Sequence, residues 1–214
     1  TFAALAPVVK VGGITISSPA VVTFSIADAN NNPIIGWGAK SQSATATVAG
    51  YPNLAFSLAK LVPGANGSPS KWVSYIVTTV PTKNATTGAI TAAAPTRPST
   101  DSQGTLVDNK NGTYTYTFYR DITKIRDEIA AMPAVTTPNN KADLGDLTYE
   151  PNRVHRLVIV LSGNAPGTGT NTANGVQTTP GVPLTKPVNL IYDFIPATGK
   201  PVSATDYTRD IVNV

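Results

Sequence analysis

The chain contains no cysteine. That excludes a disulfide framework, a zinc–thiolate site, a thiol nucleophile and any haem attached through a Cys-x-x-Cys-His motif. Histidine is nearly absent too: His155 is the only one. A Ser-His-Asp relay would have to be built around it, and no Gly-x-Ser-x-Gly elbow or other nucleophile signature accompanies it. Charged residues make up only 13% of the chain. Lys and Arg stand singly, and the closest grouping, Lys124 and Arg126, is answered at once by Asp127 and Glu128. The net charge of +4 therefore forms no basic stripe, and nucleic acid is not an expected partner. No apolar run approaches the roughly 20 residues that a membrane-spanning helix needs. No initiator Met, basic n-region or apolar h-region is present, so Thr1 reads as the start of a processed form whose export signal is gone. Gly163 to Gly175 is glycine-containing but lacks the Lys-Ser/Thr of a phosphate cradle.

What the chain has in quantity is turn and strand chemistry. Across 214 residues it carries 17 Gly and 18 Pro, with Thr, Val and Ala dominating the segments between them, the profile of many short strands joined by turns. Val22-Thr23-Phe24-Ser25-Ile26 alternates apolar and hydroxyl side chains, as a half-buried strand requires, and Asp28 to Pro33 supplies a turn before Ile34 and Ile35 resume, which reads as a hairpin. Leu54, Phe56 and Leu58 alternate with Ala55, Ser57 and Ala59, and Trp72 to Val80 is a further β-rich run. The clearest hairpin runs from Gly104 to Tyr119, turning at Asn111-Gly112 and placing Tyr114, Tyr116 and Phe118 on one face. Asp121 is set to cap a helix with Ile122, Ile125, Ile129 and Met132 at helical spacing. Val154 to Leu161 predicts a central strand covered on both faces, Val188 to Ile195 another, and Tyr207 to Val214 a last one. The expectation is an all-β fold: an antiparallel Greek-key sandwich or split β-barrel with one short helix, a single β domain over 1–214 with flexible loops at 81–103 and 162–186. The low charge and the Thr/Asn/Gly/Ala wealth point to export.

Among residues that carry chemistry, His155 has two readings: a hydrogen-bonded histidine near the start of a buried strand, or an imidazole offered to a metal outside the domain, since neutral imidazole is a common axial ligand of haem iron. Asp28, Asn30 and Asn32 have the alternate-residue spacing of a calcium loop, and Asp108, Asn109 and Asn111 also cluster oxygens. Both lack the glycine and final acid of an EF-hand loop, and turn-forming Asx residues explain them better. Asp143, Asp146 and Glu150 have the composition for acid–base work but lie in a loop-like stretch, where a solvated surface is expected. Asn66-Gly-Ser, Asn84-Ala-Thr and Asn111-Gly-Thr are N-glycosylation sequons, weak signals in so Asn- and Thr-rich a chain.

Five segments, in order, resemble the haem-free N-terminal part of the outer-membrane decahaem c-type cytochromes of extracellular electron transfer. They are VTFSIADANNNPIIG (22–36), FSLAKLVPGANGSPSKWVSYI (56–76), GTLVDNKNGTYTYTF (104–118), LTYEPNRVHRLVIVLSG (147–163) and NLIYDFIPATGKPV (189–202), with TRDIV near the end. The resemblance implies a β domain preceding the first haem-attachment motifs, with no haem in this chain and haem c in the continuing polypeptide or a partner. It also implies an extracellular location at the outer-membrane surface of a bacterium. The partners it implies are haem-bearing domains or cytochrome subunits, an outer-membrane porin, or neighbouring copies. In that frame His155, standing in Val-His-Arg where the family tends to have Thr-His-Arg, becomes a candidate distal haem ligand, and Arg156 a candidate propionate contact. The chain departs from the family at its N-terminus, which has no cysteine for lipid attachment, and between Thr86 and Thr100.

The expected function is a non-catalytic scaffold or docking module of a cell-surface multihaem cytochrome. The alternative is an Ig-like adhesion or surface-assembly module with no redox role. A carbohydrate-active β-sandwich enzyme fits less well, because the acids fall mostly in turns.

Overall fold

The computed structural model describes residues 1–91, 97–132 and 143–203. The strands are β1 (Val8–Thr15), β2 (Val21–Ala27), β3 (Leu54–Val62), β4 (Lys71–Ser74), β5 (Thr82–Lys83), β6 (Ile90–Thr91), β7 (Thr105–Asp108), β8 (Thr113–Thr117), β9 (His155–Leu161), β10 (Val188–Ile195) and β11 (Lys200–Pro201), with one helix, α1 (Ile125–Ala131). They form an antiparallel four-stranded sheet in the order β1-β2-β8-β7, an antiparallel five-stranded sheet in the order β11-β10-β9-β3-β4, and a separate β5–β6 ribbon. Among the described residues neither large sheet closes on itself, so the fold is an all-β sandwich with no closed barrel. The chain crosses between the sheets after β2, returns for β7 and β8, and crosses again into β9.

Period-two patterning decides what lies between the layers. From the four-stranded sheet, Val22, Phe24 and Ile26 of β2 and Tyr114 and Tyr116 of β8 point inward; from the five-stranded sheet, Leu54, Phe56 and Leu58 of β3 and Leu157, Ile159 and Leu161 of β9 meet them. Phe56 stacks on Tyr116 across the layers with ring centroids 3.9 Å apart, and Phe24 packs edge-on against Phe56 at 5.7 Å. Burying each such ring is worth about 2–3 kcal/mol, with a smaller increment from ring–ring geometry. β9 is central in its sheet, but only one of its faces is fully covered: Arg156, Val158 and Val160 on the other are half-buried.

Other expectations shift locally. The turn at Asp28–Asn32 returns for one bridge, Ala27 to Pro33, and β2 instead pairs with β1 and β8. The run after Trp72 pairs as a strand only to Ser74, after which Tyr75, Ile76 and Val77 pass into the core. Asp121 does not cap α1. Its carboxylate accepts the Thr123 N–H and hydroxyl, making a turn that delays the helix to Ile125, although Ile122, Ile125 and Ile129 are buried as the spacing requires. Tyr207 to Val214 lies outside the described residues. No described helix is long and apolar enough to cross a membrane.

Candidate functional site

His155 opens β9 directly opposite Lys60 of β3. Both residues are fully buried. The imidazole Nδ1 donates to the Arg153 carbonyl at 2.9 Å, which leaves Nε2 as the acceptor for the Tyr75 hydroxyl at 3.2 Å. Tyr75 stacks on the imidazole at 5.5 Å, and Tyr149 and Phe194 complete its surroundings at 5.8 and 5.9 Å. Burial in this aromatic box pushes the imidazole down to about 4; the Lys60 charge acts in the same direction, against the Arg153 carbonyl and Glu150. The side chain is therefore neutral at pH 7. Burial also raises the Tyr75 phenol well above its usual value.

The Lys60 ammonium is satisfied by a strap, residues 143–153, laid over this end of the sheet. It donates to Glu150 Oε2 at 2.6 Å, the Thr148 carbonyl at 2.6 Å and Asp146 Oδ2 at 3.3 Å. Asp146 is held down to about 2, chiefly by bonds from Thr148, then by Lys60. Glu150 is lowered chiefly by Lys60, with Arg153 adding to it from 2.8 Å. So two of the three acids expected on a solvated surface converge on one buried cation, while Asp143 accepts the Gly145 N–H. Lys60 was missed in the sequence, yet the signal was present: continuing Leu54, Phe56, Leu58 by two residues puts a lysine inside, where it needs a counter-charge.

Arg156 points to the opposite face of β9. Its Nε and Nη2 make a bidentate pair with Asp193 of β10, both at 2.8 Å, and its guanidinium lies 4.1 Å from the centre of the Trp72 ring. The structure thus places the two sequence-predicted residues on opposite faces of the sheet and does not join them in one site. To ligate an iron outside the domain, Nε2 of His155 would have to leave Tyr75 and pass a wall of aromatic rings; to hold a propionate, Arg156 would have to share its guanidinium with Asp193. As placed, both side chains are engaged inside the chain, and with no cysteine the chain has no Cys-x-x-Cys-His motif to attach a haem of its own.

The remaining candidates resolve as turns. Asp28 accepts the N–H groups of Asn30 and Asn32, and Asp108 those of Lys110 and Gly36. Asn111 accepts the Thr113 N–H and hydroxyl. Among the described residues no group of three or more His, Asp or Glu is placed to hold a metal ion.

A second buried network was not foreseen. Asp101, fully buried, pairs its backbone with Phe56 of β3. Its carboxylate accepts the Tyr116 hydroxyl and the Arg120 N–H, and lies 3.3 Å from the Arg120 guanidinium. Arg120 also donates to the carbonyls of Thr78 and Thr100. The 162–186 loop is likewise tied to the core: Asn171 Nδ2 donates to Asn53 Oδ1 and the Asn164 carbonyl, both at 2.7 Å, while Asn53 donates to the carbonyls of Ser162 and Asn164.

No protein-family model matches the chain, and no curated protein does. Among solved structures it is similar to MtrC from Shewanella baltica OS185, with 21% identity and a TM-score of 0.49 over 96% of this chain and 24% of that one. It is also similar to the outer membrane decaheme cytochrome OmcA, with 19% identity and a TM-score of 0.48 over 96% of this chain and 25% of that one. The chain thus spans about a quarter of the length of each.

Proposed function

We propose that the chain is a non-catalytic β module of a cell-surface multihaem c-type cytochrome, serving extracellular electron transfer by positioning and docking haem-bearing domains. One observation carries the reading. The segments that resemble that family are the ones that build both sheets: 22–36 is β2 and its turn, 56–76 spans β3 and β4, 104–118 is the β7–β8 hairpin, 147–163 is the strap and β9, and 189–202 is β10 with β11. On this reading haem belongs to polypeptide outside these residues, and His155 with Lys60 ties the strap to the sheet. Electron transfer then belongs to the haem-bearing part, and this module scaffolds it. The half-buried Val158 and Val160 and the exposed Ile191, around the Arg156–Asp193 pair, offer the outward face of the five-stranded sheet for docking.

The test compares the native gene product with a version lacking these 214 residues. Haem content per mole and haem-to-haem electron transfer should be unchanged, while resistance of the haem-bearing part to proteolysis falls. Loss of haem on deletion would mean that these residues hold it, and unchanged proteolysis would remove the scaffold role.

A further inference from the structure

A cleft of about 250 Å³ opens beside the bridge between Ser41 and Gly50, and it shares no lining residue with the His155 cluster. Its polar lining comes from Ser41, Ser43, Ser102 and Gln103, and its apolar lining from Ala46, Val48, Pro52 and Tyr51. None of these residues carries a charge, so the cleft offers an ionised ligand no counter-charge. The walls are pinned by backbone bonds. Ser41 and Gly50 exchange N–H···O bonds at 2.9 and 3.0 Å, the Tyr51 N–H donates to the Ser102 carbonyl at 2.8 Å, and the Gln42 N–H donates to the Ala173 carbonyl at 2.9 Å. The cleft is therefore formed before anything enters it, as small-molecule sites usually are.

The decisive feature is how Gln103 is held. Its Oε1 accepts the Arg120 guanidinium at 3.1 Å and the Ser102 N–H at 3.2 Å, which fixes the orientation of the amide, and its Nε2 donates to the Ser102 hydroxyl at 2.9 Å. Arg120 is itself clamped by Asp101 and by the carbonyls of Thr78 and Thr100. The buried network thus orients a surface amide and leaves the second Nε2 proton uncommitted. Gly50 keeps these groups open: a Cβ there would lie 3.4 Å from both Gln103 Nε2 and Ser102 Oγ, so both atoms border the space that a side chain would fill. The Ser41 hydroxyl bonds to no described residue, and that of Ser43 makes a long contact of 3.4 Å with Thr45. Serine hydroxyls both donate and accept, as sugar hydroxyls do. Beside them, the apolar lining matches the C–H face of a sugar ring. The volume lies below the roughly 300–1,000 Å³ of drug-sized sites, which limits the occupant to about one ring.

We propose that this cleft binds one neutral pyranose ring, whose hydroxyls meet the Gln103 amide N–H and the serine hydroxyls while its C–H face lies on the apolar lining. The inference is independent of the cytochrome reading.

The test titrates the ¹⁵N-labelled 214-residue chain with the methyl glycosides of glucose, galactose and mannose, and with inorganic phosphate as a charged comparator. At least one glycoside should saturably move the Gln103 side-chain amide and the backbone amides of 41–51 and 102–103, with a Kd of about 1–10 mM, and phosphate should not. Gln103→Glu keeps an acceptor for Arg120 and removes the N–H, so it identifies the side-chain resonance and should weaken binding at least tenfold. Gly50→Val alters no residue of the Asp101–Arg120 network, fills the cleft and should abolish binding with the rest of the amide spectrum unchanged. No saturable shift with any of the three glycosides up to about 50 mM, shifts centred outside the cleft, tighter binding of phosphate than of every glycoside, or binding undiminished in Gly50→Val would each overturn the proposal.

Discussion

Acidification provides a sharp test of the buried cluster, because the chain has a single histidine. Folding moves His155 from its usual value near 6.5 to about 4, chiefly by desolvation. Between those values the unfolded chain binds a proton that the folded chain refuses, so stability must fall as the pH falls. The contribution is fully present above about pH 6.5 and is lost progressively toward about pH 4. At about 1.4 kcal/mol for each pH unit separating the two values, the loss over the whole window is on the order of 3 kcal/mol. Asp146 and Glu150 also have lowered values, so their contributions are lost too as the pH falls, but at more acid pH, below the usual carboxylate values near 4. Urea denaturation at half-unit steps from pH 7 to 4.5 therefore isolates the histidine. The wild type should lose about 2–3 kcal/mol across that range, and His155→Gln, which cannot charge, should lose under 1 kcal/mol. A flat wild-type profile, or the same slope in His155→Gln, would refute a neutral, buried imidazole.

Three further perturbations separate the other interactions. Glu150→Gln weakens the charge balance of Lys60 and should destabilise by about 1–3 kcal/mol in denaturant melts, whereas Lys60→Met should cost less than about 1 kcal/mol, because an apolar side chain of similar length removes the desolvated charge itself. Asp101→Asn leaves Arg120 buried without its counter-charge, and a loss of about 3–5 kcal/mol is expected by the same measurement. Asn171→Ala removes two buried hydrogen bonds and should cost about 1–3 kcal/mol while making 162–186 the first site of limited proteolysis, identified by mass spectrometry of the fragments.

β3 and the β7–β8 hairpin were legible in the sequence because one buried face imposes a period of two, and they appear where Leu54-Phe56-Leu58 and Tyr114-Tyr116 place them. β9 and β10 fall in the runs Val154 to Leu161 and Val188 to Ile195, although β9 has one fully covered face where its apolar run predicts two. β1 was not legible: Gly12 and Gly13 interrupt its alternation, and they stand there because the strand bulges against Thr23, where a Cβ on Gly12 would come within 3.2 Å of the Thr23 hydroxyl. Which sheet a strand joins was illegible for a different reason. The pairing of β2 with β8 joins residues about ninety positions apart, and nothing local encodes it. Of the candidate site, the burial of His155 could be read from its place at the head of an apolar run. Its partners could not, since Lys60 arrives from β3 and Tyr75 from the segment that follows β4. Arg156 is adjacent to His155 in sequence, but the same period of two sends it to the other face of the sheet. The Asp101–Arg120 network shows the general difficulty: each charge alone looks like a surface residue, and only the fold brings them together.

The central claim is that these residues serve as the haem-free β module of a longer haem-bearing protein, and the intact mass and visible spectrum of the native gene product test it most directly. The account predicts a mass far above 22.2 kDa together with a strong Soret band. A colourless protein of about that mass would contradict it and move the adhesion or surface-assembly reading to the front.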